Sequence, residues 1–251
     1  MIASSSAFTS KQLTSALQPN FDPSKIKKKN VNLKPISADG KLAFLLYNVF
    51  SRDECEALIK LSEECGYGEA LVNIGGGREM RIKGFRDSSR VLIDDKAFVE
   101  RLFQRISLYL PSEFMNETVV AINERLRFLR YQPGDKFKPH FDGSYCRPDN
   151  SAETLITIQI YLNENFVGGE TNFLDRDDET KCVPVKPVTG MVLVFEHRIF
   201  HEGSVVRKGK KYAIRTDVLY TRENVRKFVN VLRNRTEDND DDGRKVRCVC
   251  Q

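Results

Sequence analysis

The sequence predicts a mainly β fold with flanking helices, arranged as an antiparallel sandwich or barrel with the helices on one face. Three observations support this prediction. Apolar residues recur at a helical period near 3.6 between positions 51 and 106. After Pro111 the period changes to 2, and Gly, Pro, Asp and Asn turns separate the alternating segments. Two helices followed by a run of strands are typical of this architecture.

The composition is that of a folded protein. The chain has 251 residues, of which 40% are hydrophobic and 30% are charged. These fractions exclude disorder throughout, collagen-like chains and coiled coils. No apolar run approaches the roughly 20 residues of a membrane-spanning helix, so we expect a soluble protein without a membrane partner.

Two predicted helices have clear start and stop signals. Ser51, with Glu54 three residues later, forms a capping box, and Gly66 ends this helix. Asp95 begins the second helix, which ends before Pro111. A last helix is predicted over 221–234. The strand candidates are 43–50, 123–131, 154–163, 191–196 and 212–220, and 69–74 is expected to be extended.

Charge divides the chain into three parts. Residues 1–38 carry six Lys and one Asp, and are predicted to be a disordered basic arm. Residues 39–235 form one near-neutral domain. Residues 236–251 hold five acidic and three basic residues, and are predicted to be a disordered tail. Because phosphate contacts need clustered basic residues, the near-neutral domain argues against nucleic acid as a partner.

Cysteine usage gives an expectation about the compartment. The six cysteines form no CxxC pair, and the first residues contain no apolar stretch of the kind found in secretory signals. We therefore expect no disulfide framework and a cytoplasmic or nuclear location.

The segment from Arg130 to Asp142 carries the clearest chemical pattern. Residues two apart on an extended chain point to the same side, so His140 and Asp142 can converge on one point. An imidazole and a carboxylate suit a divalent first-row metal, and a second His would complete the three-ligand face that leaves positions open on Fe(II). The two other histidines are His197, expected at the surface, and His201, which follows a strong strand.

A cationic residue follows His201 at a fixed distance. Lys211 comes ten residues later, on a strand expected to line the same cavity, where a dianionic cosubstrate would need a positive anchor. Lys211 and Arg215 share one face of that strand by alternation. Either residue could therefore be the main carboxylate anchor.

These residues belong to an ordered set of motifs that resembles the Fe(II)/2-oxoglutarate-dependent dioxygenases, specifically the prolyl 4-hydroxylase-like branch. The resemblance is most secure over 123–220. The matching pieces are Tyr131-x-Pro-Gly-x-x-Phe-x-x-His140-x-Asp142, Tyr161-Leu162-Asn163, Gly168-Gly169-Glu170-Thr171-x-Phe173, Pro187-x-x-Gly190-x-x-Leu193-x-Phe195, His201-Glu202-Gly203 and Gly209-x-Lys211-Tyr212.

The resemblance implies a double-stranded β-helix (jelly-roll) core and an oxygenase mechanism. Fe(II) would be held by His140, Asp142 and His201. The C5-carboxylate of 2-oxoglutarate would meet Lys211, with Tyr131 and Tyr161 as hydroxyl partners. With molecular oxygen, such enzymes hydroxylate an unactivated C–H bond and release succinate and CO2. A prolyl residue of a protein or peptide is the expected substrate, and the need for ascorbate to keep iron reduced is left open.

A second group of residues is predicted from position alone. The segment before the second helix is rich in arginine and occupies the place of a substrate-covering loop in relatives of this branch. A solvated charged loop is the competing interpretation. Asn123 and Arg125 begin the strand that leads to the metal pair and could reach the substrate. The loop candidates are Arg78, Arg81, Arg86 and Arg90.

Two rival functions are kept at this point. One is an oxygenase acting on a free amino acid, a small metabolite or an alkylated nucleic acid. The other is a catalytically inactive jelly-roll binding module, against which the intact His140, Asp142, His201 and Lys211 argue.

Overall fold

The computed structural model describes residues 10–73, 79–178 and 180–222. Its three α-helices are α1 (Ser10–Ser15), α2 (Arg52–Glu64) and α3 (Lys96–Ile106), with 3-10 turns at Pro23–Lys25, Lys34–Ile36 and Ser107–Tyr109. Its strands are β1 (Lys27–Asn30), β2 (Ala43–Tyr47), β3 (Gly68–Glu69), β4 (Val72–Asn73), β5 (Glu79–Met80), β6 (Ser89–Asp94), β7 (Glu113–Phe114), β8 (Glu117–Ile122), β9 (Arg125–Tyr131), β10 (Phe137–His140), β11 (Ala152–Tyr161), β12 (Val167–Gly168), β13 (Thr171–Leu174), β14 (Cys182–Val185), β15 (Val192–Glu196), β16 (His201–Gly203), β17 (Val206–Lys208) and β18 (Lys211–Thr221).

Two antiparallel sheets form the core. The larger has ten strands and runs in the order β1-β2-β15-β11-β18-β9-β6-β3, with β8 beside β18 and β7 beside β8. The smaller runs in the order β10-β16-β13-β14. This jelly-roll architecture, mainly β with flanking helices, confirms the fold class predicted from the sequence.

The larger sheet is buried on both faces. Successive side chains of β11 point alternately into two different cores. Ile156, Ile158 and Ile160 pack in the main core with side chains from all three helices. Tyr161, which follows Ile160 and so points to the opposite face, packs with Phe173 of the smaller sheet in a second core. The helices therefore cover one face of the larger sheet, while the other face turns toward the smaller sheet and the cavity described below.

The predicted helix signals are confirmed. The Ser51 hydroxyl accepts from the Glu54 amide, and the Glu54 carboxylate accepts from the Ser51 amide, which completes the capping box. Glu54 is also paired with Arg105 of α3 at 2.6 Å, and both side chains are buried. Asp95 caps α3 by accepting from the Phe98 amide. Helix caps of this kind can be predicted from the sequence without knowledge of the tertiary fold.

The predicted disordered arm is wrong for residues 10–38. Leu13 and Leu17 are buried in the main core, against α2 and α3. Lys27–Asn30 pairs antiparallel with β2 as an edge strand of the larger sheet. Leu33 and Ile36 are buried in the second core. Burial of these four apolar side chains outweighs the Lys-rich composition that favoured disorder.

The C-terminal predictions lie mostly outside the described residues. Thr221 ends β18 rather than beginning a helix, and 223–234 and the tail 236–251 are not described. Within the described ranges, no helix has the length and apolar character needed to cross a membrane.

Candidate active site

Two histidines face each other across the smaller sheet. His140 at the end of β10 is the direct cross-strand partner of His201 at the start of β16. Asp142, two residues after His140, brings its carboxylate to the same point. His140 Nε2 lies 3.7 Å from Asp142 Oδ1, and His201 Nε2 lies 3.7 Å from Asp142 Oδ2. The structure thus brings together the three residues that the sequence predicted as metal ligands.

Backbone carbonyls fix which nitrogen of each ring carries the proton. His140 Nδ1 lies 2.8 Å from the Lys138 carbonyl, and His201 Nδ1 lies 2.9 Å from the Ile199 carbonyl. A carbonyl can only accept, so each Nδ1 donates, and each Nε2 keeps a free lone pair directed at Asp142. Metal-binding histidines are held in this way by a hydrogen bond at the second nitrogen.

Burial and charge keep the three groups in their metal-binding protonation states. Burial, together with the neighbouring His201, lowers the pKa of His140 to about 3. Burial also lowers the pKa of His201. For Asp142, burial raises the pKa, but Arg215 and the two histidines outweigh it and hold the pKa well below its usual range. Neutral imidazoles and an ionised carboxylate are the forms that bind a metal.

The donor set fits a divalent iron ion. The ligand atoms of His140, Asp142 and His201 all lie within 4.8 Å of one another. The 3.7 Å separations between Nε2 and carboxylate oxygens are too long for hydrogen bonds, and a shared cation would satisfy all three groups. Two His and one carboxylate on one side of the ion is the arrangement that leaves coordination positions open on Fe(II).

Lys211 lies in the same cavity, at the start of β18. The cavity has about 470 Å³ of space not filled by atoms, part of it open to solvent, and it is lined by the three candidate ligands and Lys211. Lys211 is 3% exposed, and its Nζ donates to the Gly169 carbonyl at 2.7 Å. Gly169 has a φ of +70°, and a Cβ there would come within 3.2 Å of the Lys211 side chain. Glycine at this position therefore lets the ammonium approach the backbone.

The two predicted tyrosines occupy different positions. Tyr131 lines the cavity, and Lys211 Nζ lies 5.1 Å from its ring centroid. Tyr161 is fully buried in the second core, and its hydroxyl is 2.7 Å from Thr171 Oγ1. Tyr161 does not line the cavity, whereas Thr171 does. Lys211 Nζ also lies 5.5 Å from the Tyr161 ring centroid, so a contact of Tyr161 with the cosubstrate stays a prediction.

Arg215 lines the cavity but forms ion pairs with two carboxylates. Its NH2 lies 3.0 Å from Asp142 Oδ1 and 3.1 Å from Asp217 Oδ1. Asp217 also pairs with Arg127 at 3.1 Å and lies 3.4 Å from His197 Nε2. Of the two cations considered as the carboxylate anchor, Lys211 is therefore the one that pairs with no acid among the residues that the structure describes, and the structure favours it.

The sequence predicted only part of the polar network that surrounds the candidate metal ligands. His197 was predicted at the surface, but it is 5% exposed and faces Asp217. Asp217 was not predicted at all, although it lies two residues beyond Arg215 and the same alternation would have found it. Thr157 also lines the cavity, and its hydroxyl donates to Asp142 Oδ2 at 2.6 Å.

The predicted substrate residues differ in their position relative to the cavity. Arg86 is 9% exposed and lines the cavity. Arg81 is exposed and pairs with Glu69 at 2.6 Å. Arg125 is also exposed and pairs with Asp94, away from the cavity. Arg78 lies outside the described residues, Arg90 NH1 lies 3.5 Å from the Leu71 carbonyl, and Asn123 is buried with its side chain accepting from the Arg125 amide.

Burial of Asn123 argues against its contact with the substrate, whereas Arg125 does not line the cavity and its contact with the substrate stays a prediction. Alternation indicates which residues share a face of a strand, but it does not indicate which face meets the cavity. Phe137 belongs to one of the sequence motifs but was given no predicted role; its ring stacks on His140 with centroids 3.6 Å apart. Strict alternation would put residues three apart on opposite faces, and an irregularity in β10 between Phe137 and His140 allows the contact.

Comparison with known proteins agrees with this geometry. Residues 126–216 match the model of the 2OG-Fe(II) oxygenase superfamily. Over this segment the chain is similar to the members of that superfamily. It is 25% identical over 198 residues to probable prolyl 4-hydroxylase 3 of Arabidopsis thaliana, covering 68% of this chain and 67% of the relative. It is 27% identical over 224 residues to prolyl 4-hydroxylase 2 of the same organism, covering 77% and 69%.

A solved structure supports the fold. The crystal structure of a viral collagen prolyl hydroxylase from Paramecium bursaria Chlorella virus-1 aligns with a TM-score of 0.51 at 21% identity. The alignment covers 72% of this chain and 98% of that protein. At this level of identity, the match bears on the jelly-roll fold.

Proposed function

We propose that this protein is an Fe(II)- and 2-oxoglutarate-dependent dioxygenase that hydroxylates a prolyl residue of a protein or peptide. The observation that carries the proposal is the convergence of His140, Asp142 and His201 in one cavity with the buried cation Lys211. The similarity to plant prolyl 4-hydroxylases supports the substrate class. We also propose a cytoplasmic or nuclear location, as expected from the sequence.

Three side chains would hold the iron. His140 and His201 would each bind through Nε2, and Asp142 through its carboxylate, in the orientations that their hydrogen bonds already fix. Bound iron would activate oxygen, coupling decarboxylation of 2-oxoglutarate to succinate and CO2 with hydroxylation of the substrate. Thr157 holds Asp142 in place from the opposite strand, so the ligands would need little rearrangement on loading.

Lys211 would bind the far carboxylate of the cosubstrate. Its burial lowers its pKa to about 8, despite the opposing effect of Glu170. At pH 7 the side chain is therefore mostly a desolvated ammonium, and an anionic ligand would relieve its cost. Tyr131 beside it supplies a hydroxyl and a ring face to the same ligand region. Phe137 and Phe195 also line the cavity, and their rings exclude water from it.

Succinate formation tests this proposal. Purified, iron-loaded protein is supplied with 2-oxoglutarate and oxygen, and a proline-rich peptide library is added or withheld, each with and without ascorbate. We expect a subset of peptides to increase succinate release and to gain one oxygen atom on proline by mass spectrometry. Absence of any 2-oxoglutarate-dependent succinate would contradict the enzyme proposal. Succinate that no peptide stimulates would contradict the prolyl substrate.

A ligand variant separates the metal assignment from the substrate. His140→Ala is expected to abolish both metal binding, measured by equilibrium dialysis, and turnover. Lys208→Ala, an exposed lysine on β17, serves as the control and should retain both. Full metal binding by His140→Ala would refute the ligand assignment whatever the substrate proves to be.

A further inference from the structure

We propose that Arg86 selects substrates that carry a carboxylate next to the hydroxylated residue. The inference rests on the proposed function, because it names the class of substrate for the same cavity. Arg86 lines the reaction cavity with His140 and Lys211. It also lines a neighbouring groove with about 660 Å³ of unfilled space, part of it open to solvent. Arg86 therefore borders both the reaction cavity and the groove.

Arg86 is held rigidly but is not neutralised. Its NH1 donates to the Leu71 carbonyl at 3.1 Å, and its guanidinium lies over the Phe137 ring at 4.7 Å. No carboxylate among the residues that the structure describes lies within ion-pair distance of Arg86. Its Nε is buried and has no hydrogen-bond partner among those residues. A buried guanidinium with an unused donor is costly unless a ligand completes its hydrogen bonds.

The other charges of the cavity already have partners. Arg215 is matched by Asp142 and Asp217. Lys211 would be matched by the distal carboxylate of 2-oxoglutarate. Of these three cations in the described part of the chain, Arg86 is then the one that still has no anionic partner. Burial lowers the pKa of Arg86 only to about 10, so its guanidinium remains charged at neutral pH. A guanidinium forms its strongest pairs with carboxylates, which makes a substrate carboxylate the fitting partner.

A carboxylate next to a prolyl residue has two sources. It can be the side chain of an adjacent Asp or Glu, or the α-carboxylate of a C-terminal or free proline. Both would offer the same two oxygens to Arg86. Paired substrates distinguish them: Pro-Glu against Pro-Gln within a peptide, and C-terminal proline as the free acid against the amide.

The test is a specificity ratio. For the wild-type enzyme we expect kcat/KM for the carboxylate member of at least one pair to exceed that of its neutral partner by about tenfold or more, as a charge-assisted hydrogen bond provides. Arg86→Gln should reduce this ratio to near one, and Arg86→Lys should keep part of it.

A matched control removes a positive charge elsewhere. Arg52→Gln, at an exposed ion pair with Glu164 at the start of α2, should keep the wild-type ratio. A wild-type ratio near one for both pairs would overturn the inference, and this result needs no variant to fold. An unchanged ratio in Arg86→Gln, or a large rise in its KM for 2-oxoglutarate, would also overturn it. If no substrate is turned over and no succinate forms, the proposed function itself has failed.

Discussion

Replacing Lys211 by Met should abolish tight cosubstrate binding and stabilise the unliganded protein at the same time. Burial lowers the pKa of Lys211 from its usual 10.5 to about 8. A change of one in pKa corresponds to about 1.4 kcal/mol, so the buried ammonium costs the folded state about 3 kcal/mol at pH 7. Methionine has a similar length and carries no charge. The substitution also removes the hydrogen bond to the Gly169 carbonyl. The loss of this bond offsets about 1–2 kcal/mol of the stability gained by removing the buried charge.

The expected net effect is a gain of about 1–2 kcal/mol in the free energy of unfolding, measured by urea unfolding without metal or 2-oxoglutarate at pH 7. For a chain of this size, that corresponds to a rise in Tm of roughly 2–8 °C. The KM for 2-oxoglutarate should rise at least tenfold, because one charge-assisted hydrogen bond contributes about 1.5–3 kcal/mol. Lys208→Met, on an exposed position, should change neither quantity.

The change in the free energy of unfolding with pH tests the same reasoning. The folded-state pKa of Lys211 is below the unfolded-state value, so between pH 8 and 10.5 the unfolded chain binds more protons than the folded one. This residue therefore makes the unliganded wild type more stable as pH rises through that window, and the Lys211→Met variant should lack its contribution. A variant that is less stable than wild type at pH 7, or that binds 2-oxoglutarate normally, would refute the reasoning.

Three further predictions follow from the same structure. Arg105→Met should cost about 3–5 kcal/mol in urea unfolding, because Glu54 keeps a buried charge without its partner; a loss below 1 kcal/mol would contradict it. Thr157→Val removes the hydrogen bond to Asp142 and should weaken Co(II) binding, followed by absorption, about tenfold; unchanged affinity would show that Asp142 is held by other groups. The KM for 2-oxoglutarate should increase as pH rises above about 8, as Lys211 loses its proton, and a flat profile would exclude it as the anchor.

The parts of the fold that depend on local signals could be predicted from the sequence. The capping box at Ser51 and the cap at Asp95 involve residues three positions apart. The long strands were evident from alternation. The segment 10–38 could not be predicted, because Leu13 and Leu17 are isolated apolar residues in a polar stretch, and only helices distant in sequence make their burial favourable.

The site divides in the same way. His140 and Asp142 are two residues apart, so their convergence is a property of one extended segment. The contact of Arg215 with Asp142 joins two strands that are far apart in sequence, and no spacing rule gives it. The same holds for His197, whose burial depends on Asp217 across the sheet. Sequence patterns identified the residue types that the chemistry needs, while the tertiary fold determined which of them are paired and which are left to bind a ligand.

The pairing of β11 with β18 connects the stability of the fold to the integrity of the site. Gln159 is opposite Arg215, and Thr157 is opposite Asp217, so the cavity side chains of the two strands lie on one face. A slip of one residue would turn the cavity side chains of β11 toward the helices and the isoleucines of β11 toward the cavity. The main core therefore fixes the register, and the register fixes the positions of Thr157 and Arg215 on Asp142. Substitutions that weaken the isoleucine face should accordingly reduce metal affinity even though they lie on the side of the sheet away from the cavity.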